Sequence, residues 1–305
     1  MAKTRFPKDR GLTARMGLTV FLLGLVYVLF IGVLLALRMS TSLVLVIAAA
    51  ILFVQYFYSD KIALASMRGR IVQREDSPQA AQLHGIVDRL CAMADMPKPK
   101  VAISEFDIPN AFATGRNPKN SVVCATSGLL RRLDEQEVEA VLAHELSHVA
   151  HRDVLVMTIA SFLGVVAGFL TRMELWFGGG FGGGGRDRNG NNSQGAGMVI
   201  LLVSVVVYAI SFLITRALSR YRELSADRSG AILIGHPSVL KSALIKITGE
   251  MGRIPTRDLR SASAFNAFFF APAINKDSIT GLFSTHPSLE KRIAQLDKLE
   301  RDLAN

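Results

Sequence analysis

Apolar residues in this chain of 305 are gathered into four runs. The first covers residues 16–37 without a charge, and the second, 43–58, follows after only Arg38-Met39-Ser40-Thr41-Ser42. A bilayer's hydrocarbon layer is crossed by roughly 20 apolar helical residues, so this pair predicts a transmembrane hairpin. Runs three and four, residues 154–170 and 197–214, lie near the lower length limit, so they either tilt or are partly sheltered by protein. The expected class is a mainly α membrane protein with about four transmembrane helices.

Between the second and third runs the period changes. From 78 to 94, Leu83, Ile86, Val87, Leu90 and Met93 recur at helical spacing, which predicts an amphipathic helix with one buried face. Asp95-Met96-Pro97-Lys98-Pro99 is a turn, and residues 100–104 and 121–126 read as short strands joined by the stretch 110–118. A second helix starts after Asp134, a capping residue, with Glu135 and Glu137 in its first turn and neither Gly nor Pro up to residue 148. Two or three strands beside a helical pair make a small α+β unit. Residues 178–192 are too rich in glycine for regular structure. With no preceding strand and no Lys-Ser/Thr pair, they read as a connector and not a phosphate cradle. The fourth run continues as a helix through Leu224.

This pattern divides the chain into an N-terminal anchor and hairpin (1–58), a first soluble part (59–152), two further apolar segments joined by a Gly-rich loop at 172–196 (153–214), and a second soluble part (215–305).

Half of the residues are hydrophobic and the formal net charge is +10. The cations sit at the edges of the apolar runs. Lys3, Arg5, Lys8, Arg10 and Arg15 precede the first; Lys61, Arg68, Arg70 and Arg74 follow the second; Arg216, Arg220 and Arg222 follow the fourth. The positive-inside rule then puts both termini and both soluble parts in the cytoplasm, and the basic balance reports topology, not nucleic-acid binding. The first run is too long for a cleaved signal sequence and is expected to stay as an anchor. Cys91 and Cys124, two cytosolic thiols, predict neither a disulfide nor a thiolate metal site.

The chemistry is concentrated in His144-Glu145-Leu146-Ser147-His148. Imidazoles four residues apart share a helix face and can grip one zinc ion, while Glu145 is placed to take a proton from a bound water. A catalytic zinc wants a third protein ligand. His151 is close in sequence, but three histidines over seven residues of a straight helix cannot all reach one ion, so it reads as a supporting or structural residue. Glu223, with Asp227 four residues later on the same face, offers a carboxylate ligand and a partner to orient a histidine. Read alone, Glu223 is also an ordinary acid in a charged juxtamembrane helix, and the residues leave both readings open.

His144-Glu-Leu-Ser-His148 with its trailing His151-Arg152-Asp153, Glu223-x-x-x-Asp227, Asn110-Ala-Phe-Ala and Thr285-His286-Pro287 together resemble the M48 peptidases, and among them the bacterial membrane-bound HtpX heat-shock protease group. The resemblance covers most of the chain. It implies a zincin-type (gluzincin) protease domain carrying a small β-sheet, one Zn2+ per chain held by His144, His148 and Glu223, and Glu145 as the catalytic acid and base. It also implies that Asn110 lines the substrate cleft and that His286 stabilises the oxyanion. By residue pattern alone Asn110 is a turn residue, and His286-Pro287-Ser288, like His236-Pro237-Ser238, is a helix start with Pro at the first position.

The expected activity is therefore zinc-dependent endopeptidase cleavage of membrane or misfolded proteins in quality control. It would act at the cytoplasmic face of a bacterial cell membrane, with membrane lipid as a partner and nucleic acid as none. Two alternatives share the motif: a prenyl-protein processing protease of the same family, and a non-catalytic scaffold whose zinc staples two helices. A site buried within the bilayer is disfavoured by Glu135, Glu137, Glu139 and the Arg152-Asp153 pair around it.

Overall fold

In the computed structural model, residues 10–36, 42–177, 193–251 and 286–304 are described. The Gly-rich connector lies outside them, as do the first cations of the chain. Apolar run one forms α1 (Arg10–Ala36) and run two forms α2 (Ser42–Phe57), followed by the short α3 (Ser59–Ser66). The soluble part then runs β1 (Gly69–Ile71), α4 (Pro78–Ala94), β2 (Lys100–Ser104), β3 (Ala111–Asn117), β4 (Asn120–Thr126), α5 (Ser127–Arg132) and α6 (Glu135–Ala150). Two long apolar helices follow, α7 (Asp153–Phe177) and α8 (Ser193–Ile234), then α9 (Pro237–Met251) and α10 (Leu289–Ala304).

The protein is mainly helical with one small mixed sheet, ordered β1-β2-β4-β3. β2 and β4 are parallel, while β1 and β3 lie antiparallel on the two edges. Alternation along the strands splits their side chains between two cores. Val101, Ile103, Val123 and Ala125 join the core under α4 and α6, while Ala102, Phe112, Val122 and Cys124 pack on the other face against Ala63 and Met67 of the α3 region. The stretch read as a connector between strands is itself β3. Its Ala-Phe-Ala-Thr-Gly sequence has little strand preference alone and is held extended by β4, with Ala113 opposite Val123.

α4 starts from Ser77, whose side chain accepts from the Ala80 N–H, and has Pro at its first turn. Leu83, Ile86, Val87 and Leu90 of its expected face are buried, but Met93 is 37% exposed, at the rim of that face. α6 opens with a reciprocal capping box: the Glu137 N–H donates to Asp134 Oδ1 (2.9 Å) and the Asp134 N–H to Glu137 Oε2 (3.2 Å).

A separate apolar cluster joins α1, α7 and α8 through Leu23, Phe30, Ala160, Val166, Ala167, Leu170, Val207 and Leu218. Small residues of α7 allow close packing there; Gly168 faces the Tyr208 ring, which a Cβ would approach to 3.3 Å. Large apolar residues such as Phe21, Val28 and Leu202 point outward, the distribution a lipid-facing bundle has. Among the described residues two helices are long and apolar enough to cross a membrane, within 153–172 and 198–234. The apolar part of α1, Met16–Gly32, is shorter. α8 exceeds its expected end, carrying the fourth apolar run past Leu224 to Ile234 without a break. α10 begins at Leu289, two residues after the proline expected to open it.

Candidate active site

α6 presents His144 and His148 one turn apart, and α8 crosses its face to present Glu223. One ligand atom from each, together with the other two, lies within a sphere of contacts no wider than 4.8 Å. The Nε2 atoms of the two histidines are 3.2 Å apart, and Glu223 offers Oε2 at 3.6 Å from His144 Nε2 and Oε1 at 3.6 Å from His148 Nε2. Both Nδ1 atoms face away from this point. His144 Nδ1 lies 2.9 Å from Asp227 Oδ1, and His148 Nδ1 lies 2.5 Å from Asp153 Oδ2.

The residues fit a metal ion. Each aspartate holds a proton on the Nδ1 of its histidine, which leaves both Nε2 atoms turned to a carboxylate and able to offer a lone pair to a metal. Such an arrangement calls for a cation at its centre. Tetrahedral coordination with bonds of about 2.1 Å would separate ligand atoms by about 3.4 Å, near the 3.2 Å between the two Nε2 atoms and the 3.6 Å from each to a Glu223 oxygen. Burial alone disfavours the charged His144 imidazolium, but the hydrogen bonds to Asp227 and Glu223 outweigh it and raise its pKa to about 9. The pocket attracts positive charge.

Glu145 lies on the same helix turn, and its Oε2 accepts a hydrogen bond from the Ala113 N–H on edge strand β3 (3.1 Å). Burial pushes its carboxyl upward, against the pull of the neighbouring His144 and His148. A carboxylate made more basic and tethered by one oxygen is suited to proton transfer. The His286 Nδ1 lies 3.1 Å from Glu223 Oε2, so the segment ahead of α10 reaches the cluster. A cavity of about 470 Å³ opens beside these groups, bounded by Phe112, Ala113 and Thr114 of β3, by Glu145, His148, Glu223 and His286, and by Met157, Thr158 and Ser161 along α7.

Two expected site residues stand apart from the cluster. His151 caps α6, its N–H donating to the Ser147 carbonyl at 2.9 Å, and is half-buried beyond the last turn. Asn110 is fully buried at the foot of β3. Its N–H donates to Thr126 Oγ1 (2.9 Å), its carbonyl accepts from the Thr126 N–H (2.9 Å), and it does not line the cavity.

Beyond Asp227, sequence reasoning missed the groups behind the histidines. Asp153 comes back to His148 because Arg152 adopts the left-handed conformation (φ 57°), breaking the chain between α6 and α7. The Arg222 Nε lies 3.0 Å from Asp153 Oδ2, and Arg292 of α10 binds Asp227. The signal for Arg292 was its position: Leu289, Arg292, Leu296 and Leu299 form one stripe, with an arginine where the stripe calls for an apolar residue.

A His-Glu-x-x-His helix facing a carboxylate on a second helix, beside the edge strand of a small sheet, defines a metallopeptidase. Residues 77–300 match the model of peptidase family M48, and the chain belongs to that family. It is 58% identical to Protease HtpX homolog 1 of Streptomyces coelicolor, over 99% of this chain and 97% of that protein. With Protease HtpX homolog of Moorella thermoacetica it shares 53% identity, over 97% and 96% respectively. It is thus an HtpX-like M48 membrane metalloprotease. The crystal structure of S. mikatae Ste24p superposes with a TM-score of 0.54, covering 95% of this chain and 67% of that one at 18% identity, a likeness of fold.

Proposed function

We propose that the protein is a zinc-dependent membrane endopeptidase in which His144, His148 and Glu223 hold the metal, Glu145 is the general base and acid, and Asp227 orients His144. The observation that carries this reading is the convergence of two imidazole Nε2 atoms and one carboxylate on a single point, with Glu145 and an open cavity alongside. When bound, zinc would make water acidic enough to ionise near neutral pH and would polarise the scissile carbonyl.

The chain's own residues do the rest. Glu145 accepts the proton of the attacking water and passes it to the departing amine, its carboxylate held in place by the Ala113 N–H. An extended peptide laid along the outer edge of β3, past Phe112, Ala113 and Thr114, would bring its carbonyl to Glu145. His286 stabilises the developing oxyanion. Its Nδ1 faces Glu223, which leaves Nε2 as the ring atom that meets the substrate. Asn110 acts from beneath, fixing the start of β3 and with it the strand that positions substrate. His151 supports the end of α6.

The substrates are membrane or membrane-associated proteins in quality control. The cavity that begins at Glu145 continues beside Met157, Thr158 and Ser161 of a membrane-length helix, which supports delivery of the polypeptide from the bilayer side. Cations at Lys61, Arg68, Arg70, Arg216, Arg220 and Arg222 support a cytoplasmic position for the site, with α1 and α2 as two further spans and both termini cytoplasmic. Residues 59–152 and 215–305 then form one protease domain, with the α7–α8 hairpin inserted between its halves.

The test is Glu145→Gln. The amide keeps the size and cannot take the proton. The variant should retain one zinc per chain and lose cleavage of an unfolded membrane substrate by at least 100-fold. Undiminished cleavage by metal-loaded protein would refute the mechanism.

A further inference from the structure

α10 arrives at the site from the C-terminal end of the chain and brings one charged side chain into the interior. Arg292 is 2% exposed, and Asp227, which it meets, is wholly buried. The guanidinium donates from Nε to Asp227 Oδ2 (2.7 Å) and from Nη2 to Asp227 Oδ1 (2.6 Å), a two-pronged bond that fixes the plane of the carboxylate. Oδ1 is also the atom 2.9 Å from His144 Nδ1. The three groups form a line from α10 through α8 to α6.

The other histidine is braced in the same way, by Asp153 and then by Arg222. Arg222 borders the cavity, whereas Arg292 is locked in the core. α10 is itself anchored independently of this contact. Gln295 Nε2 donates to the Leu224 carbonyl (2.6 Å), Lys241 pairs with Asp297 (2.6 Å), and Leu296 and Leu299 enter the main core. With docking secured by those contacts, an apolar residue at 292 would serve packing as well or better, because a buried ion pair gains little over well-packed apolar groups. The arginine makes sense through what its carboxylate partner touches.

We propose that Arg292 is a positioning residue for the metal centre. It holds Asp227 in the one orientation that directs a carboxylate oxygen at His144 Nδ1, so that His144 turns its Nε2 lone pair toward the metal. This rests on the reading of His144, His148 and Glu223 as metal ligands. It makes the C-terminal helix a functional part of the site.

The experiment compares full-length proteins in detergent by zinc affinity, measured by competition with a chromophoric chelator, and by thermal unfolding of the metal-free form. Arg292→Met should weaken zinc by 10- to 100-fold, the range that removal of outer partners of ligand histidines produces. Arg292→Lys, which keeps the charge but not the fork, should recover part of that loss. Asp227→Asn should match Arg292→Met, and the double variant should be no weaker than Asp227→Asn alone, since the arginine acts through the aspartate. Lys241→Met, which loosens α10 elsewhere, should lower the unfolding temperature and leave zinc affinity unchanged.

The proposal is overturned if Arg292→Met, or Arg292→Lys where the methionine variant does not fold, binds zinc as tightly as the parent. It is also overturned if the losses from Arg292→Met and Asp227→Asn multiply, or if Lys241→Met costs the same affinity. A parent protein that takes up no zinc, or whose His144→Ala variant binds it unchanged, overturns the metal-site reading instead, and this inference with it.

Discussion

Replacing Gly230 with alanine adds one methyl group at the closest approach of α8 to α6. Gly230 stands seven residues beyond Glu223 and three beyond Asp227, on the same helix face. A Cβ there would lie 2.7 Å from the His144 backbone nitrogen, 3.0 Å from the Ala143 carbonyl carbon and 3.0 Å from the His144 Cα. Ordinary contacts are about 3.5–4.0 Å, so the helices must part by about 1 Å. All three atoms belong to the backbone of a buried helix and cannot swing aside as a side chain would. Overpacking of this kind costs about 1–3 kcal/mol.

The same displacement widens the 3.6 Å separations between Glu223 and the two imidazoles to about 4.5 Å, past the roughly 3.4 Å that one tetrahedral ion allows. Gly230→Ala should therefore lower the unfolding temperature by several degrees, weaken zinc by more than 10-fold, and reduce cleavage at limiting zinc. The control is Gly85→Ala in the interior of α4, where a Cβ meets nothing within 4 Å. That variant should gain about 0.5–1 kcal/mol from the stiffer helix and leave zinc binding alone. Chelator competition and thermal melts on both proteins read the contrast. A Gly230→Ala protein with parental stability and zinc affinity would show that α8 does not press on α6 as described.

Metal removal should have a similar signature without any mutation. Because the proposed ligands come from α6 and α8, EDTA should lower the unfolding temperature and zinc should restore it, about 2.7 kcal/mol being expected at a zinc concentration 100 times the dissociation constant; an unchanged melt would exclude a cross-linking ion. A pH effect is expected far from the site. Asp107, between β2 and β3, is held down to about 2 by hydrogen bonds from Arg132 and Arg131. A depressed carboxyl contributes above its ordinary value near 3.8 and loses that contribution as pH falls toward 2. Asp107→Asn should thus flatten the acid limb of stability across that window, and an acid limb identical to the parent's would count against the Arg–Asp contacts.

Much of this architecture could be read from local pattern because local physics sets it. The α6 cap lies in Asp134-x-x-Glu137, the α4 face in the spacing of Leu83, Ile86, Val87 and Leu90, and the apolar helices in uninterrupted runs. Where long-range contacts decide, reading failed or stayed open. β1 has three residues and exists because β2 pairs with it; β3 carries Gly115 at φ 148° and a register shift before Asn117, neither of which favours a strand. His151, read as a supporting or structural residue because a straight helix cannot turn three histidines onto one ion, stands at the end of α6. Arg292 went unread, and the buried carboxylate it meets on α8 explains why an arginine stands in the apolar stripe of α10. Gly230, a helical glycine with its usual cost, carries no local signal of its role. Its reason is the backbone of α6.

The long insertion between the histidines and Glu223 has a structural logic that links these points. α8 is one helix of 42 residues, roughly 63 Å long, with its first half in the apolar bundle and Glu223 some 45 Å from its start. Over such an arm, a tilt of about 2° at the bundle moves the carboxylate by about 1.5 Å, enough to open the metal site. Packing of α8 against α1 and α7 thus sets where Glu223 stands, and contacts at the soluble end must hold the helix in register. Three do so from different directions. Gly230 lets α8 rest on the α6 backbone, Asp227 ties it to His144, and Arg292, with Gln295, clamps it from α10. A metal held by α6 alone would be indifferent to the bundle. With Glu223 as the proposed third ligand on α8, the catalytic centre depends on the correct assembly of the apolar helices.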